Sequence, residues 1–401
     1  MKGKIQRKVL KNGLTVVFEK RELPVVSMAF AVRYGGAYES AKEKGISHFI
    51  EHMLYKGTPT RTAQQIAQEI ELKGGILNGF TSEFITAFWC KMPSKNLNFG
   101  LNVLSDMMKN PLFDAKELEK EREVILEEIK MYHDTPRMYV LDKIKNILYK
   151  EPVGMDIIGT AENLRNMKRE NLIEKFKQVY KPSNMIFCII GNADFRKVCE
   201  FCEKFFEKEK AKFSISVPAP VLQNGILVEK RKDIDQVNLV FGYHVPKKSD
   251  KKNYAAQVLT TLMAGGMSSR LFNEIREKRN LAYAVKGVSN IEKEFGYSEI
   301  YIGTSKENYE LVKKIILEEY EKVSKNLTEK ELNEIKEQLI GNYHIGLEDS
   351  TNRLVEVLGE EISGTMDEDF EDCIKEVKLI DVKELAKLKN YSFFALLPED
   401  K

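Results

Sequence analysis

Apolar runs near the start of the chain are short and broken by polar turn residues, and the segments Gln6–Val9, Leu14–Glu19 and Val25–Tyr34 read as strands. The turn signal Lys11-Asn12-Gly13 joins the first two. From Gly45 the apolar positions take the period of a helix, at about 100° per residue. A second helix over Thr62–Lys73 stops at Gly74-Gly75. Strands at Ile76–Phe80 and Phe84–Met92 follow, then helices near Ser94–Met108, Asp114–His133 and Pro136–Tyr149. A helix at Arg169–Val179 leads to the strand Met185–Ile190 and to a helix ending near Lys210.

Lys212–Gly225 (KFSISVPAPVLQNG) lacks helical periodicity and reads as a linker. Beyond it the order of elements repeats. NLVFGYHVP answers SMAFAVRYG, and LTEKELNEIKEQLI answers FDAKELEKEREVIL. VKELAKLKNYSFFALLP answers NLIEKFKQVYKPSNMIFCIIG, all at an offset of roughly 210 residues. The expected fold is α+β, with two homologous domains, each a mainly antiparallel sheet with helices packed on one face. The linear division is 1–211, a linker at 212–225, and 226–401.

The helix from Ile46 carries unusual chemistry. On a wheel, Ile46, Phe49, Ile50, Met53 and Leu54 share one face, and His48, Glu51, His52 and Tyr55 share the other. Histidines at i and i+4 are neighbours, so His48 and His52 together can hold one Zn²⁺. Glu51, between them, is placed to take a proton from an attacking water. The repeat supplies a control: the matching helix, AAQVLTTLMAGG, contains no His, Asp or Glu. A catalytic zinc takes a third protein ligand, and DAKELEKEREVILEEIKMYH is the richest source of carboxylates. There Asp114 and Glu117 form a capping-box signature. Glu123 and Glu127 point to water, whereas Glu121 and Glu128 flank the apolar stripe. The wheel leaves the choice between these two open.

Composition narrows the function classes. With 63 basic and 61 acidic residues, the net charge is +2 and no basic stripe suggests nucleic acid. No apolar run suggests a signal peptide or a membrane span. Five cysteines do not make a disulfide framework, so the cytoplasm is the expected compartment. Cys199 and Cys202 sit at helical spacing on an apolar face and read as core residues.

HFIEH follows the H-x-x-E-H order of the inverzincins, and its surroundings resemble the insulinase/pitrilysin peptidase family, which includes the mitochondrial processing peptidases. The resemblance rests on GGAYESAKEKGISHFIEHMLYKGT, LKGGILNGFTS, FDAKELEKEREVILEEI and GGMSSRLFNEIREKRNLAYAV. It implies that Glu128, the second glutamate of an E-x6-E pair, is the third ligand, while Glu121 orients a ligand imidazole. It implies that Arg276 and Tyr283 of REKRNLAY bind the substrate carbonyl. A peptide or unfolded polypeptide would add as a strand along Ile76–Phe80, with Asn78, Gly79 and Phe80 in contact. Relatives commonly have Asn-Ala where this chain has Asn78-Gly79, and its acid, Glu83, directly follows Ser82. Two domains in place of the family's four imply a homodimer with sites shared between subunits and one Zn²⁺ per subunit. The other reading is a non-catalytic scaffold or partner subunit of a heterodimeric processing peptidase.

Overall fold

Met185–Gly191 (MIFCIIG) is apolar without alternation, and every residue of it is buried. A strand of that kind needs cover on both faces. The computed structural model describes residues 3–206 and 215–399. It divides into two compact units, each built around one sheet. The expected helix end near Lys210 and the expected division between residues 211 and 212 lie outside the described residues.

The first unit comprises Met1–Ile129, Asp156–Pro218 and His344–Met366. Its sheet orders β1 (Ile5–Val9), β2 (Thr15–Lys20), β6 (Met185–Gly191), β3 (Val25–Val32), β5 (Thr86–Pro93) and β4 (Ile76–Thr81). All neighbours are antiparallel except β2 and β6. Val26, Met28 and Phe30 of β3 join Phe187 and Ile189 of β6 in a core shared with helices Ile46–Leu54, Leu97–Lys109 and Ala115–Asp134. The alternate residues of β3 face a single helix, Ser350–Ser363, where Ser27 Oγ lies 2.8 Å from Ser350 Oγ. Most helices thus share one face, and a helix from late in the chain covers the other.

Ion pairs hold that late helix. Arg353 donates to Glu19 at 2.7 Å, and both side chains are almost fully enclosed. Arg7 holds Glu361 through two hydrogen bonds of 2.8 and 2.9 Å, and Arg33 adds a third of 2.7 Å. Burial alone would raise the pKa of both glutamates. The hydrogen bonds from Arg353 and Arg21 to Glu19, and from Arg7 and Arg33 to Glu361, outweigh it and hold both below the ordinary carboxylate value.

The second unit comprises Lys130–Met155, Ala219–Tyr343 and Asp367–Lys401. Its sheet orders β7 (Ile226–Arg231), β11 (Ser392–Pro398), β8 (Val237–His244), β10 (Gly296–Thr304) and β9 (Ala282–Ile291). Here too one pair, β7 with β11, is parallel. A helix from early in the chain, Pro136–Leu148, covers one face of this sheet; a Cβ on Gly242 would stand 2.6 Å from Ile144 Cγ1. Each unit therefore takes one helix from the opposite half of the sequence. No helix among the described residues is long and apolar enough to cross a membrane.

The Asp114–Glu117 signature is half realised. Asp114 accepts from the Lys116 and Glu117 amides, but the Glu117 side chain turns to Lys120. Cys199 and Cys202 are free and buried in the first core, as expected.

Replacing Arg353 with Met leaves the buried Glu19 charge with Arg21 as its one remaining arginine partner, and urea titration should show a loss of about 3–5 kcal/mol. The unfolded chain binds protons to Glu19 and Glu361 at higher pH than the folded chain does. Their stabilisation is therefore complete above the ordinary carboxylate range and lost as pH falls through the depressed folded values. Urea midpoints measured from pH 7 downward should decline accordingly, and less steeply in Arg353→Met.

Candidate metal centre

The helix Ile46–Leu54 begins where Gly45 takes φ +98°, and a Cβ there would stand 2.6 Å from the Ile158 carbonyl oxygen. The fully buried Glu39 caps it, accepting from the Gly45 amide at 3.0 Å and the Ser47 amide at 2.7 Å. Such a carboxylate satisfies amides that have no partner within the helix. Ile46, Phe49, Ile50, Met53 and Leu54 are at most 1% exposed, which fixes the rotation of the helix. His48, Glu51, His52 and Tyr55 consequently share the other face.

The helix Ala115–Asp134 supplies the remaining groups. Glu128 Oε2 lies 3.8 Å from His48 Nε2 and 3.7 Å from His52 Nε2. The two imidazole rings are 4.6 Å apart. Among the described residues, His48, His52 and Glu128 form the one group of three whose donor atoms lie within 4.8 Å of one another. Bonds of about 2.0–2.1 Å in a tetrahedron place ligand atoms roughly 3.3 Å apart. A contraction of a few tenths of an ångström brings Glu128 to that spacing. The donors suit zinc, with two imidazole nitrogens and one carboxylate oxygen.

Glu121 stands differently. Its Oε2 is 3.1 Å from His52 Nδ1, and its Oε1 receives Lys56 Nζ at 2.6 Å. The first contact leaves His52 Nε2 free to face Glu128 and fixes the ring's orientation. Burial pushes Glu121 up, but the hydrogen bonds from His52 and Lys56 prevail and leave its pKa lowered. Glu128 lacks such donors, so burial raises its pKa. Burial, with His52 beside it, pushes His48 down to about 3 and keeps it a neutral donor. The wheel's two candidates are thus separated by geometry: Glu128 faces both Nε2 atoms, and Glu121 holds an imidazole from behind.

Glu51 belongs to the same cluster. It is 9% exposed, and burial raises its pKa, only partly offset by a 2.6 Å hydrogen bond from Thr81 Oγ1 to Oε2. Neither Thr81 nor Lys56 was singled out from the sequence. Lys56, four residues after His52, could have been found by helical spacing, whereas Thr81 reaches Glu51 only through strand placement.

Thr81 ends the strand Ile76–Thr81, which lies at the edge of the first sheet and pairs within it on one side only. Leu77 packs against the core and Thr81 reaches Glu51, so alternation directs Asn78 and Phe80 to the opposite face. Asn78 Oδ1 accepts from the Gly79 amide at 2.8 Å. Glu83 is buried, with Oε2 packed toward Gly36.

Arg276 and Tyr283 lie in the second unit. Arg276 is in the π-helical turn Phe272–Glu277, half exposed, its guanidinium 4.8 Å from the Phe272 ring centre. Tyr283 is 55% exposed on the strand Ala282–Ile291, and its ring lies over Gly303, where a Cβ would meet it at 2.7 Å. In this unit the helix Asn253–Ala264 occupies the place that Ile46–Leu54 has in the first, between the strands answering β3 and β4.

Residues 15–161 match the insulinase family (peptidase family M16), and residues 166–339 match the peptidase M16 inactive domain. A Rickettsia felis protein described as an uncharacterized zinc protease is 34% identical over 349 residues, 85% of this chain and 84% of that protein. Another so described, from Bacillus subtilis, is 32% identical over 354 residues, 87% of this chain and 86% of that one. Among solved structures, a protease from Helicobacter pylori superposes with a TM-score of 0.91 at 24% identity, covering 99% of this chain and 100% of the other. A peptidase M16 inactive domain from Pseudomonas fluorescens gives 0.89 at 19% identity, covering 99% and 98%. These two likenesses show a shared fold. The matched family models and the sequence relatives show that the chain belongs to the insulinase (M16) peptidase family.

Proposed function

We propose that this chain is a zinc-dependent endopeptidase acting on peptides or unfolded segments. The observation that carries the reading is the convergence of His48, His52 and Glu128 beside the buried carboxylate of Glu51. Zinc, when bound, lowers the pKa of a coordinated water to about 7 and polarises a carbonyl. Glu51 accepts the proton from the attacking water and then passes it to the leaving amine. Its raised pKa suits both halves of that exchange. Thr81 fixes one oxygen of this base, and Glu121 with Lys56 fixes the His52 ring.

The open edge of Ile76–Thr81 suits a substrate bound as an added strand through its backbone, with Asn78, Gly79 and Phe80 alongside. An extended segment fits such an edge and a folded domain does not. Arg276 and Tyr283 are assigned to the substrate carbonyl and the developing oxyanion. We further propose a cytoplasmic homodimer in which these two residues serve the partner's site. The reading of a non-catalytic subunit draws on the inactive-domain description of residues 166–339. The ligands lie outside that span, which favours the enzyme.

Elemental analysis should find about one zinc per subunit, lost in His48→Ala and Glu128→Gln. A purified protein that takes up no zinc removes the enzyme reading. Glu51→Gln should retain zinc while kcat falls by about 10²–10⁴-fold. Glu121→Gln should weaken zinc affinity about 10–100-fold. In metal-stripped protein, the His48 ring should not titrate by NMR between about pH 4.5 and pH 7.5, because burial holds it neutral. Glu51→Gln and Tyr283→Phe proteins, each impaired, should recover activity on mixing as subunits exchange. Exchange without recovery would assign both groups to one chain.

A further inference from the structure

The strand Ile76–Thr81 crosses the ligand helix at Gly79. A Cβ there would stand 2.5 Å from the Tyr55 hydroxyl, 2.9 Å from the Ala87 carbonyl oxygen and 3.1 Å from Glu51 Oε1. The phenol oxygen and the second oxygen of the base thus converge on the volume that one methyl group would fill. Glu51 Oε2 is already held by Thr81. The Tyr55 hydroxyl is buried and has no hydrogen-bond partner among the described residues. Burying a hydroxyl without a partner is costly. The ring packs on Phe88, 5.7 Å between centres, and Phe88 is the residue opposite Gly79 in the strand pairing.

The second copy shows the same crossing without this chemistry. A Cβ on Gly287 would stand 2.9 Å from Ala264 Cβ and 3.1 Å from Thr260 Cγ2. Two residues on, Ser289 donates to Thr260 Oγ1 at 2.9 Å. Thr260 and Ala264 hold the places of Glu51 and Tyr55, and Ser289 holds that of Thr81. The glycine is common to both copies and is explained by the close approach of helix to strand. The tyrosine hydroxyl is not explained that way, because the second copy fills its place with alanine.

We propose that Tyr55 is a positioning residue for Glu51: its hydroxyl, which makes no hydrogen bond among the described residues, donates to Oε1 once that oxygen moves into the space left by Gly79. With Thr81 on Oε2, both carboxylate oxygens are held and the base keeps one rotamer. Each carboxylate oxygen accepts two hydrogen bonds, so Oε1 still has room for the proton taken from water. This role rests on the peptidase reading above.

Two measurements test it. In peptide hydrolysis, Tyr55→Phe should lower kcat about 10-fold, with KM and zinc content unchanged. An undiminished kcat in Tyr55→Phe overturns the proposal. The second measurement needs no activity. In thermal unfolding, Tyr55→Phe should lower Tm in the native sequence and leave it unchanged in the Glu51→Ala background. An equal loss in both backgrounds overturns the Tyr55–Glu51 contact. If the native protein cuts no peptide while this coupling is found, the peptidase reading fails and the contact stands.

Discussion

The close approach of one helix to one edge strand governs the first unit's chemistry. Phe49, Ile50 and Met53 are driven fully out of water, and that fixes the helix rotation. Once the apolar face is buried, His48, Glu51 and His52 have one direction left to face. Gly79 lets the strand come near enough for Thr81 to reach Glu51. A bulkier residue at that crossing would separate base from strand. Gly79 is explained by that close approach, which the second copy repeats at Gly287.

Five ionisable groups, His48, Glu51, His52, Glu121 and Glu128, share a small and largely buried space. Such a cluster is costly unless its members are paired or bind a cation. Glu121 is paired, through His52 and Lys56, and keeps its charge readily. Glu128 and Glu51 are less well compensated, and burial raises both. A divalent cation would relieve that imbalance. The duplicated unit avoids it with the hydroxyls of Thr260, Ser289 and Ser298 at the equivalent crossing. One scaffold therefore carries an electrostatically demanding cluster in one copy and a self-satisfied hydroxyl network in the other.

The chain's compact units also follow packing more than sequence order. Strands such as Met185–Gly191 are buried on both faces and need a second layer. In the first unit that layer is Ser350–Ser363, anchored by Arg353 on Glu19 and by Arg7 and Arg33 on Glu361. Every one of these ion pairs spans more than 300 residues of chain.

The sequence by itself determined what depends on local period. Strand segments, helix phase and the joint placement of His48, Glu51 and His52 could all be read from residues a few positions apart, and the duplication from the return of the same order of elements further along the chain. The helical wheel also reduced the third ligand to Glu121 or Glu128, because both border the same apolar stripe. Family resemblance favoured Glu128, but the physical separation of the two came only from tertiary structure. The packing of Ala115–Asp134 against Ile46–Leu54 sets one carboxylate before both Nε2 atoms and the other behind His52. Thr81, the Tyr55–Gly79 crossing and the exchanged helices were likewise decided there. Each depends on side-chain volumes meeting across distant segments, and no local periodicity records that.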